Sequence, residues 1–128
     1  MKKVYSILVI LSVWFITSCS GQNTDNSLKP NQFSAKMKAT KNLTLLDVRT
    51  PGEYTEGHLK GAVNIDWESG SFESAVAGFD KTKNYFVYCR SGHRSGLAVT
   101  WMREHGFKNV FELNGGFTSW KSEGMPIE

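Results

Sequence analysis

An α/β domain with a mostly parallel sheet of four or five strands is the fold class that the sequence predicts, and three observations carry it. Tyr85-Phe86-Val87-Tyr88 is an unbroken apolar run of the kind a strand buried on both faces shows. Leu97, Ala98, Trp101 and Met102 follow at the spacing of one helix face, stopped by Gly106. Between them lies a tight polar loop, Cys89-Arg90-Ser91-Gly92-His93-Arg94-Ser95. A strand, a loop opening on a cysteine, and a helix put the sulfur at the carboxyl end of the sheet, where open α/β sheets keep their chemistry.

The remaining elements follow in chain order. Lys2-Lys3 precedes an apolar run over residues 4–16, broken by Tyr5, Ser6 and Ser12. A basic flank and an apolar core of this length read as a secretory signal over residues 1–18. The run is short of the ~20 residues that span a bilayer. Ile16-Thr17-Ser18-Cys19 resembles a bacterial lipoprotein cleavage box, in which Cys19 carries the lipid; an ordinary signal with a chance cysteine is the alternative. The lipoprotein reading implies export and a lipid anchor to the membrane of the bacterial cell envelope, periplasm-facing or at the cell surface. Residues 19–29 hold one large apolar side chain after the cysteine, a composition that suits a flexible tether, and leave residues 30–128 for the folded domain.

With 128 residues the chain has room for one domain and one modest core. Removing residues 1–18 takes two of the 15 basic side chains and none of the 12 acidic ones, so the formal charge falls from +3 to +1. No basic stripe asks for nucleic acid. With Cys19 lipidated, Cys89 is the one thiol left and no intramolecular disulfide can form.

Pro30, Phe33, Met37 and Ala39 suggest a short amphipathic helix, and Leu43-Thr44-Leu45-Leu46-Asp47-Val48 a strand. Asp47 and Arg49 at its end suit either an acid and cation in catalysis or a structural ion pair; the structural reading is preferred. Pro51-Gly52-Glu53-Tyr54 turns into a short helix ending at Gly57. His58 is then either a base or, by preference, a ring that fastens its loop through hydrogen bonds. A strand over residues 62–65 and a polar loop over 66–71 precede Phe72, Ala75, Val76 and Phe79, spaced as a helix facing the core. Trp67 suits the mouth of a pocket or the edge of the core equally well. Asn109-Val110-Phe111-Glu112-Leu113 makes the last strand, Asn114-Gly115-Gly116 a loop of unusual backbone angles, and Phe117 begins a short helix in which Trp120 belongs to the core.

In the cysteine loop, inward-pointing backbone N–H groups, a helix N-terminus and two arginines favour an anion at the centre. Such surroundings favour the thiolate, the nucleophilic form of cysteine. The Cys-Arg-x-Gly-x-Arg-Ser pattern after a buried strand resembles the loop of single-domain rhodaneses. Asp47-Val48-Arg49, Glu53-Tyr54, Gly57-His58-Leu59 and Gly61-Ala62-Val63-Asn64-Ile65 are similar to that family's amino-terminal signature. Gly106-Phe107, Val110, Leu113, Gly115-Gly116 and Trp120 resemble its carboxyl-terminal one, so the likeness runs through residues 28–128.

The resemblance implies a three-layer fold with helices on both faces of the sheet, and a brief strand before the first helix, for which Ser27-Leu28-Lys29 is the available stretch. It implies a sulfurtransferase without cofactor, in which Cys89 takes a sulfane sulfur from thiosulfate or a similar donor as a persulfide. Cyanide, a small thiol or a thiol-bearing protein then removes that sulfur. Arg90, Ser91, Gly92, His93, Arg94 and Ser95 would bind substrate, while Asp47, Arg49 and His58 would brace the loops around them. A carrier that stores persulfide without fast turnover is the alternative.

Rival readings fit less well. Cysteine-dependent phosphatases use Cys-x5-Arg, and that arginine position is Ser95 here; the shorter loop makes a smaller cup. Gly-x-Ser-x-Gly spacing fails around Ser95, and no Gly-x4-Gly-Lys-Ser/Thr is present. His58, His93 and His105 are scattered, which argues against a protein metal site.

Overall fold

The computed structural model describes residues 26–128; the expected signal over 1–18, the expected lipidation at Cys19 and the expected tether up to residue 25 lie outside the described residues. Five parallel strands form one sheet: β1 (Ser27–Leu28), β2 (Leu43–Asp47), β3 (Val63–Asn64), β4 (Asn84–Tyr88) and β5 (Asn109–Leu113), in the order β1-β5-β4-β2-β3. Helices α1 (Pro30–Ala39), α2 (Pro51–Glu56), α3 (Phe72–Val76), α4 (His93–Glu104) and α5 (Gly116–Ser122) connect or follow them, with a 3-10 turn at Trp67–Ser69. The expected α/β class and parallel sheet are therefore present.

Alternation along β4 splits the core in two. Tyr85, Val87 and Cys89 face α3 and α4, packing with Leu46, Val48, Phe72, Val76, Ala98, Val99 and Met102. Phe86 and Tyr88 face the other way, onto Phe33, Leu59, Leu113 and Trp120. There Phe33 is fully buried and meets Phe86 and Trp120 edge-on, at 5.2 and 6.3 Å between centroids. Burying a side chain of that kind contributes about 1.5–3 kcal/mol.

Several details differ from expectation. Ser27 and Leu28, placed in the tether by composition, pair with Glu112 and Leu113 of β5 and form the brief first strand that the family resemblance implies, so the sheet begins before residue 30. Leu97 is 45% exposed, and the buried face of α4 is Ser95, Ala98, Val99 and Met102. The sulfur loop hands the chain to the helix at His93, and that fixes the helix phase independently of Leu97. Ala39 and Ala75 are likewise exposed, and the third strand shrinks to Val63–Asn64 at the sheet edge. Trp67 covers the core edge, stacked edge-on against Phe72 at 5.1 Å.

Candidate active site

Register brings the chemistry to one end of the sheet. Asp47 lies opposite Tyr88, and Val87 opposite Glu112, so Asp47, Cys89 and Glu112 converge where β2, β4 and β5 end. Cys89 leaves the central strand with 1% exposure, while Arg90, Ser91 and His93 on the loop rim face solvent. Gly92 turns the loop with φ at +109°, a region that an L side chain resists, and its N–H donates to Cys89 Sγ at 3.0 Å. Ser95, fully buried in the first turn of α4, brings Oγ to 3.3 Å from the sulfur. The loop's other side is held by α5. Phe117 N–H donates to the Cys89 carbonyl at 2.8 Å and Thr118 N–H to the Arg90 carbonyl at 3.0 Å.

Arg94, expected to draw the anionic donor and to help fix the loop, pairs with Glu53, with Nη1 and Nη2 on the two carboxylate oxygens at 2.8 and 2.9 Å. Glu68 lies 3.5 Å from Nη1. Glu53 is already committed to α2: its N–H donates to Thr50 Oγ1, and its carboxylate accepts from Thr50 N–H at 3.1 Å. The fork therefore ties the sulfur loop to the start of α2. Hydrogen bonds from Arg94 hold the Glu53 carboxyl at about 2, down from its ordinary 4.5, with burial opposing and Thr50 assisting. The Arg94 pKa rises, chiefly through the same hydrogen bonds and against burial.

A carboxyl lowered in the fold contributes stability above its ordinary pKa and loses it as pH falls through the folded value. Melting temperature should accordingly drop between about pH 4.5 and about 2. Glu53→Gln should be less stable at pH 7 by roughly 1–2 kcal/mol, and its melting curves should lack that part of the acid slope.

Asp47, Arg49 and Tyr88 form a second network, on the opposite face of the sheet from the sulfur. The Asp47 carboxylate accepts from Arg49 Nη2 at 2.7 Å and from the Tyr88 hydroxyl at 2.6 Å. Arg49 Nη2 also donates to the Gly57 carbonyl at 2.7 Å, and its guanidinium lies 4.1 Å from the Phe117 ring centroid. Burial alone would lower the Arg49 pKa, but Asp47 raises it above the ordinary value. His58 stacks on Tyr54 at 3.8 Å, and its Nδ1 lies 3.0 Å from the Tyr54 carbonyl. Its backbone exchanges hydrogen bonds with Glu128, so its partners belong to α2 and the chain's carboxyl end rather than to the sulfur loop.

A cleft of about 620 Å³ opens beside the loop, lined by Arg49, Glu53, Arg90, Phe117, Thr118 and Lys121 among others. No cluster among the described residues has the ligands for a metal ion. Glu112 and Tyr88 escaped the sequence reading. Glu112 announced itself only as an acid inside an apolar strand, and Tyr88 as one more member of an apolar run.

Comparison with known proteins agrees with this geometry. The sequence model of the rhodanese-like domain matches residues 29–123. Thiosulfate sulfurtransferase 16, chloroplastic, of Arabidopsis thaliana is 36% identical over 93 residues, covering 65% of this chain and 78% of that protein. A putative sulfurtransferase of Bacillus subtilis, YtwF, is 37% identical over 91 residues, covering 71% and 85%. A rhodanese-related protein from Thermoplasma volcanium superposes with a TM-score of 0.70 at 29% identity, covering 80% of this chain and 96% of that one. With its cysteine loop closing the central strand of a parallel sheet, and with relatives named as sulfurtransferases, the chain belongs to the rhodanese-like domain family.

Proposed function

We propose that the protein is a sulfurtransferase that works through a persulfide on Cys89. The Cys89 thiolate attacks the outer sulfur of thiosulfate or another sulfane donor. The S–S bond of the donor breaks, sulfite leaves with the bonding pair, and the persulfide remains. Cyanide or a thiolate then attacks that outer sulfur and departs as thiocyanate or a new persulfide, returning the Cys89 thiolate. No oxidant enters, since each step passes neutral sulfur between anions.

The observation that carries this reading is the placement of Cys89 Sγ at the end of β4, with Gly92 N–H donating to it. Arg90 and Lys121 on the neighbouring cleft supply positive charge for an anionic donor. The phosphatase reading loses support at Arg94, whose guanidinium grips Glu53, while Ser95 stands in the position that Cys-x5-Arg requires.

Incubation with thiosulfate followed by removal of excess donor is expected to leave one sulfur, about 32 Da, on Cys89. Cyanide should strip that mass, and Cys89→Ser should neither gain it nor turn over. A loaded Cys89→Ser protein rules the mechanism out. Full loading of the wild type with negligible turnover for every small donor and acceptor tested favours the persulfide carrier.

A further inference from the structure

The end of the sheet opposite Cys89 takes no part in the sulfur chemistry, and lysines crowd it. Strands β2, β4 and β5 start level with one another, Leu43 opposite Asn84 and Asn84 opposite Asn109. The segments leading into β2, β3, β4 and β5 cover residues 38–42, 57–62, 77–83 and 105–108. They hold Lys38, Lys41, Lys60, Lys81, Lys83 and Lys108, six of the nine lysines among the described residues, and all six are exposed. Scattered in sequence, they meet only in the fold. Asp80 is the one acid in these segments, and Glu104 closes α4 beside the last of them.

Hydrogen bonds join the segments into one surface. Asn84 Nδ2 donates to the Lys41 carbonyl at 3.3 Å, Asn109 Nδ2 to the Thr82 carbonyl at 3.2 Å, and Lys108 N–H to the Lys81 carbonyl at 3.3 Å. Lys41, Lys81, Lys83 and Lys108 therefore share one face across three adjacent strands. Lys60 joins them through a hollow of about 520 Å³ that it lines with Lys38, Met37, Leu43 and Val63. From β5 to β3 the face is about 14 Å wide at the usual strand spacing.

These charges do little for the fold itself. Among the described residues none of the six forms an ion pair. Asp80 is within electrostatic reach of Lys83, but its carboxylate already accepts from Thr82 N–H and Oγ1. Like charges gathered on one face repel one another, and an anionic partner relieves that repulsion.

The chemistry of the face selects the partner. Its cations are lysines, compact charges on long apolar stems, and not the guanidinium forks that suit nucleic-acid phosphates. Arg103, in the last turn of α4, directs Nη2 to the Val110 carbonyl. Apolar side chains lie between the lysines: Val63 is 49% exposed, and Met37 and Leu43 line the hollow. Lysines around apolar side chains match a bilayer surface, where anionic headgroups cover acyl chains. Chain length points the same way. Residues 19–25, between the expected lipidation site and the first described residue, reach at most about 25 Å fully extended. Strand β1 is parallel to β5, so it is entered from the lysine end of the sheet.

We propose that the lysine face docks on an anionic lipid bilayer and holds the Cys89 loop on the side away from it. Cys89 lies five residues beyond Asn84, the first residue of β4, which is about 16 Å of strand. Docked in this way, the loop stands clear of the headgroups and open to donors and acceptors from solution.

The test is trace acetylation of the full chain by sulfosuccinimidyl acetate, a reagent that does not cross membranes, read at each lysine by peptide mapping. Phosphatidylcholine vesicles are compared with vesicles that also contain phosphatidylglycerol. An anchor in residues 1–25 tethers the chain to both kinds, so the difference between them reports the face. The six lysines should react more slowly on the anionic vesicles, while Lys121, beside the Cys89 loop, keeps its rate. High salt should restore the rates by screening. Each lysine near an anionic surface contributes about fivefold to binding. Lys41→Glu combined with Lys108→Glu should therefore cut the protection of Lys81 and Lys83 by roughly 25-fold. Equal rates on the two kinds of vesicle overturn the proposal. Protection of Lys121 with the six left reactive overturns it as well, since the cysteine end then faces the membrane. Protection that survives the double variant overturns it too, because the face's charge is then not its cause. Protection that single-stranded RNA removes at equal phosphate concentration assigns the face to nucleic acid and overturns the bilayer reading.

Discussion

Asp47→Asn is expected to lower the unfolding free energy by about 3–5 kcal/mol, the usual cost of stripping one partner from a buried ion pair. That is a large share of the ~5–15 kcal/mol that holds a typical domain together. Asp47 is fully buried and Arg49 is 3% exposed. The carboxylate accepts from the Arg49 backbone N–H at 2.9 Å, from Nε at 3.0 and 3.1 Å, and from Nη2 at 2.7 Å. Asparagine keeps the shape and removes the charge, and the guanidinium cannot shed its proton in response. It would stay cationic and buried without a counter-charge, supported by one neutral amide oxygen, the Gly57 carbonyl and the Phe117 and Tyr88 rings.

Urea titration should show a lower midpoint with an unchanged slope. A loss under 1 kcal/mol would mean that water reaches Arg49 and that the pair is not buried in solution. Since this network serves the α2 and α5 face, sulfur loading of the folded Asp47→Asn protein should stay stoichiometric. Loss of loading in well-folded protein would instead give Asp47 a part in the chemistry.

The contrast between the two networks shows what a sequence exposes. Cys89, its loop and β4 were legible because their signals are local: an apolar run, a motif of fixed spacing and a helix start within a few residues of one another. Asp47 and Arg49 were legible as a structural pair because they are adjacent in the chain. Tyr88 completes that pair from 41 residues away, and nothing local says that β2 will pair with β4 in the register that joins them. The partner of Arg94 was hidden for the same reason, since Glu53 is also 41 residues distant. Strand β1 offers two residues and no periodicity, so the family resemblance alone pointed to it; it exists because β5 presents an edge to Ser27 and Leu28. The buried face of α4 could not be read from apolar spacing, because the polar Ser95 sits on it and Leu97 does not.

Gly116→Ala is expected to damage stability and sulfur loading together. Gly116 begins α5 at φ +60°, and a Cβ there would stand 2.6 Å from Arg90 C, Arg90 O and Cys89 O. These are backbone atoms of the sulfur loop, so no side chain can swing aside. Relief requires α5 to retreat from the loop, and that breaks the bonds from Phe117 N–H to the Cys89 carbonyl and from Thr118 N–H to the Arg90 carbonyl. The left-handed backbone costs an alanine roughly 1–2 kcal/mol, overpacking typically adds about 1–3, and two weakened hydrogen bonds about 1 each. Gly124→Ala separates these contributions. Gly124 also has positive φ, at +68°, but nothing lies within 4 Å of its added Cβ. It should lose only the backbone cost, roughly 1–2 kcal/mol, and load sulfur normally. The Gly116 variant, by contrast, should load poorly even at temperatures where it remains folded. Equal losses in the two variants, with normal loading in both, would show that α5 does not hold the Cys89 loop in place.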